Sequence, residues 1–425
     1  MPAELFTTFA SLRHRNFRLF FSGQAISLLG SWMQSVALSW LVLELTNSSF
    51  YLGLVSALQA LPILIFSFLG GVVADQAHKQ RLLYLTQGGM MVVAFVLGFL
   101  VTSGFLNIWM LCVLVFLAGT ALAFDIPIRQ AFIVELVGKA DLPNAIALNS
   151  TLFNGTRVVG PAVAGMLIAQ VGLANCFYLN AVSFLAVLLA LFWMKLPPRR
   201  ATPRASLRKA LGELRDFMKE NENLRLILIL MTAVAIFGQS YFVLVPLLAR
   251  DVLGAGPRGF GLLMAMSGVG AFLGGLALAR RLTRRPPMPS FVGGLVLFLV
   301  GLLALSLSRN YYLALGAMVL IGVGMVTQLS TGNSLLQLNV PDQMRGRIMS
   351  LFGLIVIGSV PFGSMLYGTV AHYLGPELSL TLGSVSSGII SGYIFLRHPG
   401  LWQLNFQGLE AAAESLPPRV TPPLG

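Results

Sequence analysis

The sequence predicts an all-α polytopic membrane protein in which twelve transmembrane helices form two pseudo-symmetric halves of six. Hydrophobic residues make up 56% of the 425 residues and charged residues only 10%, whereas a soluble globular protein has about 25% charged residues. Apolar segments of about 20 residues, the length that crosses a bilayer core, follow one another along the chain. A glycine pattern in the first half recurs 203 residues later in the second half.

Each apolar segment is hydrophobic throughout, which indicates helices and excludes the alternating strands of a membrane β-barrel. The predicted spans are residues 17–45, 49–74, 82–102, 106–127, 145–171, 174–194, 224–249, 259–279, 288–307, 311–333, 346–371 and 377–396. They divide the chain into an N-terminal half (1–194), a linker (195–223), a C-terminal half (224–396) and a tail that we expect to be flexible (397–425).

The distribution of basic residues predicts how these spans are oriented. With both termini in the cytoplasm, 24 of the 28 Lys and Arg residues lie in cytoplasmic segments and three lie in links on the opposite side. Positive charge marks the cytoplasmic side of a membrane protein. The net charge of +13 therefore indicates topology and contact with the lipid bilayer, and nucleic-acid binding is excluded.

The linker has apolar residues at helical spacing in an otherwise polar stretch. They are Leu207, Leu211, Leu214, Phe217 and Met218. This spacing predicts an amphipathic helix that lies along the inner leaflet, in a segment that otherwise acts as a solvated tether between the halves.

Two short motifs place opposite charges at the cytoplasmic ends of the spans. Asp75 ends span 2 and is followed by Lys79 and Arg81. The Asp75 carboxylate can contact a helix N-terminus or a basic group in only one arrangement of the two halves. This contact would therefore bias the equilibrium between the two arrangements. Asp125 and Arg129 lie at the inner end of span 4 and can pair at i, i+4 if the helix continues.

Span 5 contains glycines at intervals of five residues. They are Gly155, Gly160 and Gly165, with Pro161 between the last two. Small residues let a neighbouring helix approach closely, and proline permits bending. This segment is therefore predicted to be a tightly packed pivot, and it is the pattern that recurs at Gly358, Gly363 and Gly368.

Taken together, these motifs resemble the major facilitator superfamily. Residues 70–81 are similar to its signature between spans 2 and 3, although Ala77 replaces a glycine, and residues 155–165 are similar to its exporter signature. Residues 129–137 and 341–350 add similarity to the bacterial branch that includes macrolide-efflux and enterobactin-exporter proteins. The resemblance covers roughly residues 10–400.

This resemblance implies a function and a gate. The implied function is secondary active export of an amphipathic small molecule across the bacterial cytoplasmic membrane by alternating access, driven by protons. A lysolipid flippase or importer on the same fold, or a non-transporting sensor or scaffold, is the alternative. The implied inner-gate cluster consists of Asp75, Lys79, Arg81, Asp125 and Arg129.

Arg157 is the basic residue predicted deep within a span, and no Asp or Glu is predicted at a similar depth. Such a charge usually faces a cavity or a partner, which predicts a neutral or anionic substrate. The alternative is a structural role, in which Arg157 bonds to carbonyls freed by Pro161 or to Asn149 and Asn154. The other polar candidates for the cavity are Gln24, Gln34, Gln59, Gln239, Tyr241, Gln328 and Asn333.

Proton coupling requires a carboxylate that titrates with access to the pathway. The candidates are Glu44, near the outer end of span 1, and Asp125, and both are predicted at membrane faces. The four histidines are scattered, and no catalytic set, metal-ligand spacing or P-loop can be identified. The sequence therefore predicts neither an enzyme nor a cofactor.

Overall fold

The computed structural model describes residues 10–76, 78–194, 207–281 and 287–403, and these ranges contain helices and no strand. Twelve helices are long and apolar enough to cross a membrane, as predicted. The spans, numbered 1 to 12, are Arg15–Thr46, Ser49–Ser67, Lys79–Ser103, Ile108–Gly138, Ala140–Val171, Leu173–Trp193, Glu222–Val252, Gly256–Ala279, Pro287–Leu307, Tyr311–Leu338, Met344–Leu374 and Pro376–Arg397. The helix of span 2 continues to Gln76.

The bundle has two ends, which we name by their connections. The hairpin end carries the short turns that follow the odd-numbered spans, and the linker end carries the remaining connections and the middle linker. Gly172 and Gly375 form equivalent turns at the hairpin end, with φ values of 85° and 83°. This left-handed backbone favours glycine, and the two residues are 203 positions apart. The internal repeat is therefore visible in the backbone.

The apolar cores show how the two halves meet. One core at the hairpin end includes buried residues from both halves, such as Leu43 and Tyr367. At the linker end the cores are separate, one around Phe20 and Phe132 in the N-terminal half and one around Phe291 in the C-terminal half. The halves are thus joined at the hairpin end and apart at the linker end.

Glycines allow the halves to touch at the hairpin end. A Cβ atom at Gly165 of span 5 would lie 3.0 Å from the Gly261 Cα of span 8, and a Cβ at Gly53 of span 2 would lie 2.9 Å from the Gly368 Cα of span 11. Real Cβ atoms are rarely this close to another backbone. Spans 5 and 8, and spans 2 and 11, therefore pack backbone to backbone where glycines face each other.

Span 4 is longer than predicted. The sequence places its end at Pro127, but the helix continues through this residue and breaks at Gly138, where φ is 70° and ψ is −179°. A proline is tolerated inside a membrane helix when its neighbours compensate for the lost hydrogen bond. Arg129 is therefore helical, and the predicted link between spans 4 and 5 is reduced to the break at Gly138.

The linker helix extends over Leu207–Glu220. Its residues Leu214, Phe217 and Met218 pack against the core of the C-terminal half. This helix is therefore part of that half and not a solvated tether. The side chains of Leu207 and Leu211 and residues 195–206 lie outside the described part. Of the predicted flexible tail, Pro399–Gln403 form a short helix whose Leu401 is buried, and residues 404–425 are outside the description.

In each half, the segment that precedes the first span, here called the lead-in segment, contacts the helices of that half at the linker end. Before span 1, Ser11 donates a hydrogen bond from its backbone N–H to the Asn144 side chain, at 3.0 Å. Before span 7, Glu213 pairs with Arg347. Asn144 and Arg347 are 203 residues apart. The lead-in contact therefore occurs at the same repeat position in both halves.

Candidate functional site

Span 7 is interrupted at its middle. Its α-helix ends at Phe237, a 3₁₀ turn follows over Gln239–Val243, and the segment Leu248–Val252 is a π-helix. A Cβ at Gly238 would lie 2.7 Å from the Phe298 ring, so glycine is required at the break. The Tyr367 hydroxyl donates to the Phe237 carbonyl at 2.5 Å. Broken helices of this kind line binding sites within membrane proteins.

Four side chains from four spans meet near this break. The Tyr241 hydroxyl lies 3.0 Å from the Ser267 Oγ. The Arg157 Nη2 lies 4.0 Å from the Met325 sulfur. A Cβ at Gly268, the residue after Ser267, would lie 3.0 Å from the Arg157 carbonyl oxygen, so Arg157 and Ser267 are neighbours across the two halves. Each of the four residues lies near the middle of its span. We call Arg157, Tyr241, Ser267 and Met325 the central polar group.

The structure does not support the predicted structural role of Arg157. The Asn154 amide donates to the Ser150 carbonyl of its own helix at 2.8 Å, and no hydrogen bond joins Asn149 to Arg157. The carbonyl that Pro161 leaves without its helical partner is that of residue 157 itself, and it faces Gly268 of span 8. The contacts of the Arg157 side chain are thus with the opposite half.

A cavity lies beside the central polar group, on the side of the hairpin end, between spans 1, 2, 7 and 8. Its volume is about 40 Å³, so it is narrow in this conformation. Its lining combines aromatic and apolar side chains with three serines and Gln59, and includes Trp32, Ser35, Ser39, Ser56, Phe242, Phe260 and Met264. A lining of this composition is typical of sites for amphipathic molecules, and spans 1, 2, 7 and 8 must separate for the cavity to admit one.

The other predicted cavity residues are dispersed. Gln34 accepts a hydrogen bond from Asn180 of span 6 at 2.7 Å, inside the N-terminal half. Asn333 accepts one from Gln337 on its own helix at 2.9 Å. Gln328 is fully buried, and neither of its side-chain polar atoms has a partner. Gln239 is partly exposed at the break in span 7.

Asp125 is buried inside the N-terminal half, with 1% of its surface exposed. The Thr86 hydroxyl donates to it at 2.9 Å and the Gln87 amide at 2.8 Å, and the Arg129 Nε lies 3.6 Å away. Arg129 also donates to the predicted cavity residue Gln24, at 3.0 Å. Span 4 continues for 13 residues beyond Asp125, about 20 Å of helix, so Asp125 does not lie at the end of this helix as predicted.

Of the remaining inner-gate residues, the two whose side chains the structure describes, Lys79 and Arg81, do not join Asp125. Lys79 is buried and pairs with Glu135 at 2.6 Å, and Arg81 is exposed. The side chain of Asp75 lies outside the described part. Sequence analysis missed Glu135, although it belongs to the motif at residues 129–137, because the end of span 4 was placed before it.

Glu44 is exposed at the hairpin end and accepts a hydrogen bond from the Trp40 indole at 2.8 Å. Nearby, Arg250 of span 7 donates to the Leu43 carbonyl at 3.3 Å and to the Asn47 side chain. Arg250 also pairs with Asp251 at 2.6 Å. The sequence indicated only that Arg250 follows a span, since nothing local marks a contact between residues 203 positions apart.

Comparison with known proteins assigns the fold. The family model of the transmembrane secretion effectors matches residues 6–418. The chain is also similar to a solved structure, a bacterial homologue of the human lysosomal transporter Spinster in its inward-facing conformation. The TM-score is 0.75 at 15% identity, over 92% of this chain and 98% of that one. At this identity the likeness shows the fold alone.

Curated relatives are transporters of matching length. The staphyloferrin A transporter of Staphylococcus aureus is 27% identical over 372 residues, 87% of this chain and 93% of that protein. The multidrug efflux pump Tap of Mycolicibacterium fortuitum is 26% identical over 86% of this chain and 92% of the pump. Macrolide efflux protein A of Streptococcus pyogenes is 22% identical over 85% and 92%. The chain therefore belongs to the transmembrane secretion effector family of the major facilitator superfamily, and it is a membrane transporter.

Proposed function

We propose that this transporter exports an amphipathic small molecule from the bacterial cytoplasm by alternating access, with energy from the proton gradient. The observation that carries the proposal is the arrangement of the cores: one is shared at the hairpin end, and two are separate at the linker end. A central site is then open toward one end and closed toward the other. Exchange between this arrangement and its reverse would move a molecule across the membrane.

The linker end is the cytoplasmic end in this proposal. It carries residues 10–14, residues 398–403 and the linker helix, and the sequence has most of its basic residues in the segments on this side, as the positive-inside rule requires. A cysteine at Ser206, in a chain that lacks Cys112 and Cys176, should resist an impermeant thiol reagent added to whole cells. A cysteine at the exposed hairpin-end Arg309 is the control and should react. Reaction of the cysteine at position 206 but not of the one at position 309 would show that the orientation is opposite to the one proposed.

Export is the proposed direction because the sequence similarity to proteins named as efflux proteins extends over most of the chain. Inside-out membrane vesicles should accumulate the substrate when their lumen is acidified, and right-side-out vesicles should not. A flippase or importer would give the opposite preference. A sensor or scaffold would give no flux in either preparation.

Asp125 is the proposed proton carrier, with Glu44 as the other candidate. Protonation would remove the negative charge that now faces Arg129 and so change the balance of charge inside the N-terminal half. The Asp125→Asn variant keeps the shape of the side chain. It should lose flux driven by a pH gradient but retain substrate exchange without a gradient, whereas Glu44→Gln alone should retain both. Undiminished driven flux in the double variant would refute both assignments.

A further inference from the structure

We propose that the centre of the protein holds a subsite for an oxyanion, a carboxylate or a phosphate, on a substrate with an aromatic or apolar body. The subsite consists of the central polar group and the cavity beside it. This inference rests on the proposed transport function and names the chemical class of the substrate.

The first argument is the charge of Arg157. None of the ion pairs among the described residues includes it, and its contact in the opposite half is the Met325 sulfur, a weak acceptor. The side chain is partly exposed, so the cation faces the space between the halves. An anion that enters this space can pair with it as water is displaced. The planar guanidinium presents paired donors that fit the oxygens of a carboxylate or phosphate.

The second argument is the origin of the donors. Arg157 comes from the N-terminal half, and Tyr241 and Ser267 come from the C-terminal half. The two hydroxyls share one hydrogen bond, so one of their two hydrogens remains available to an additional acceptor. An oxyanion bound by Arg157 and this hydroxyl pair would connect the two halves. Its binding would therefore bias their separation.

The third argument is the cavity, which begins within about one helical turn of the central polar group. Phe242 follows Tyr241 directly, Met264 precedes Ser267 by three residues, and both line the cavity. The Trp32 and Phe260 rings supply flat apolar surface there. The body of the substrate would lie against these rings while its charged oxygens remain at Arg157.

The test measures binding of small probes to the purified full-length protein in nanodiscs of zwitterionic lipid. The probes are phenylacetate, phenyl phosphate, benzyltrimethylammonium and benzyl alcohol. Binding of each is measured as the change in the thermal unfolding temperature of the protein as the probe concentration is raised. At least one of the two anions should bind more tightly than the cation, and their ratio distinguishes a carboxylate site from a phosphate site. The Arg157→Ala variant should raise the Kd of the preferred anion at least about tenfold, the effect of one lost charge-assisted contact.

Two further variants keep the test decisive if Arg157→Ala does not fold. Arg157→Lys retains the positive charge but lacks the paired donors of the guanidinium, and it should bind the anion with intermediate affinity. Tyr241→Phe should weaken binding of the anion without changing the affinity for benzyl alcohol. Arg309→Ala and Tyr312→Phe are matched controls at exposed positions of the hairpin end, and they should leave the Kd unchanged.

Two results would overturn the subsite: tighter binding of the cation to the wild-type protein, or wild-type anion affinity in the folded Arg157 and Tyr241 variants. Either result together with intact vesicle flux refutes the subsite and leaves the transport proposal in place. Anion binding that requires Arg157 without flux in any vesicle supports the subsite and refutes transport.

Discussion

The Arg250 guanidinium of span 7 bonds to the Asn47 side chain at the end of span 1. Asn47 has a left-handed backbone with φ of 49°, and its N–H caps the helix by donating to the Leu43 carbonyl. Arg250 donates to the same carbonyl from the opposite half. A cation at a helix C-terminus is favourable, so this contact fastens the two halves together at the hairpin end.

Replacing Arg250 with alanine should therefore favour opening at the hairpin end. A partly exposed contact of this kind is worth about 1 kcal/mol, or about fivefold in the population of the open state. The readout is the labelling rate of a cysteine at Ser39, which lines the central cavity, with an impermeant reagent from the hairpin side. Arg309→Ala is the control. An unchanged labelling rate would show that Arg250 does not hold the halves together.

The Gly165–Gly261 contact should be intolerant of even one methyl group. A Cβ at Gly165 would lie 2.7 Å from the Pro257 carbonyl oxygen, whereas a Cβ at Gly155 of the same helix would meet nothing within 4 Å. We expect Gly165→Ala to lower the free energy of unfolding by about 1–3 kcal/mol, and Gly155→Ala to leave it unchanged or higher. Thermal unfolding in detergent measures both, and equal effects of the two variants would contradict the packing argument.

The Tyr367 hydroxyl should stabilise the break in span 7. Removing it in Tyr367→Phe would leave the Phe237 carbonyl without its side-chain partner, at an expected cost of about 1–3 kcal/mol. The matched control is Tyr373→Phe, because Tyr373 is 78% exposed. The variant should unfold at a lower temperature than the control. Identical unfolding curves would indicate that the carbonyl finds another partner.

Asp75 should act on transport more than on affinity. Its position at the end of span 2 is far from the central polar group, so Asp75→Asn should change the balance between conformations and not the site. We expect a lower transport rate with a nearly unchanged substrate Kd, measured at matched expression. Asp216→Asn is the control, since Asp216 is exposed on the linker helix. Equal transport rates for Asp75→Asn and the wild type would exclude a gating role.

Much of the architecture can be predicted from the sequence, because each membrane span is identified by its own continuous run of apolar residues. Apolar length defines all twelve helices, and the spacing of Gly155, Gly160 and Gly165 indicates close packing. The break at Gly238 was not predicted, since the nearest proline, Pro246, follows eight residues later and the steric reason is the Phe298 ring, 60 residues away in the chain.

Sites formed between the halves are much less predictable. Arg157 stands out in the sequence by its charge, but Tyr241 and Ser267 are ordinary residues until the two halves bring them together. The same limit explains Lys79, whose carboxylate partner Glu135 is 56 residues away. In each case the deciding information is the relative position of helices, which local hydrophobicity does not encode.

The matching lead-in contacts of Asn144 and Arg347 bear on the origin of the chain. If the repeat arose by duplication, the copied unit included the segment before its first span, because both copies retain its attachment at the same position. We infer that the linker helix is the beginning of the second copy and not a spacer added between them. A gene divided before Leu207 should then yield two fragments that assemble when expressed together, whereas division after Glu220 should leave the second fragment without its attachment.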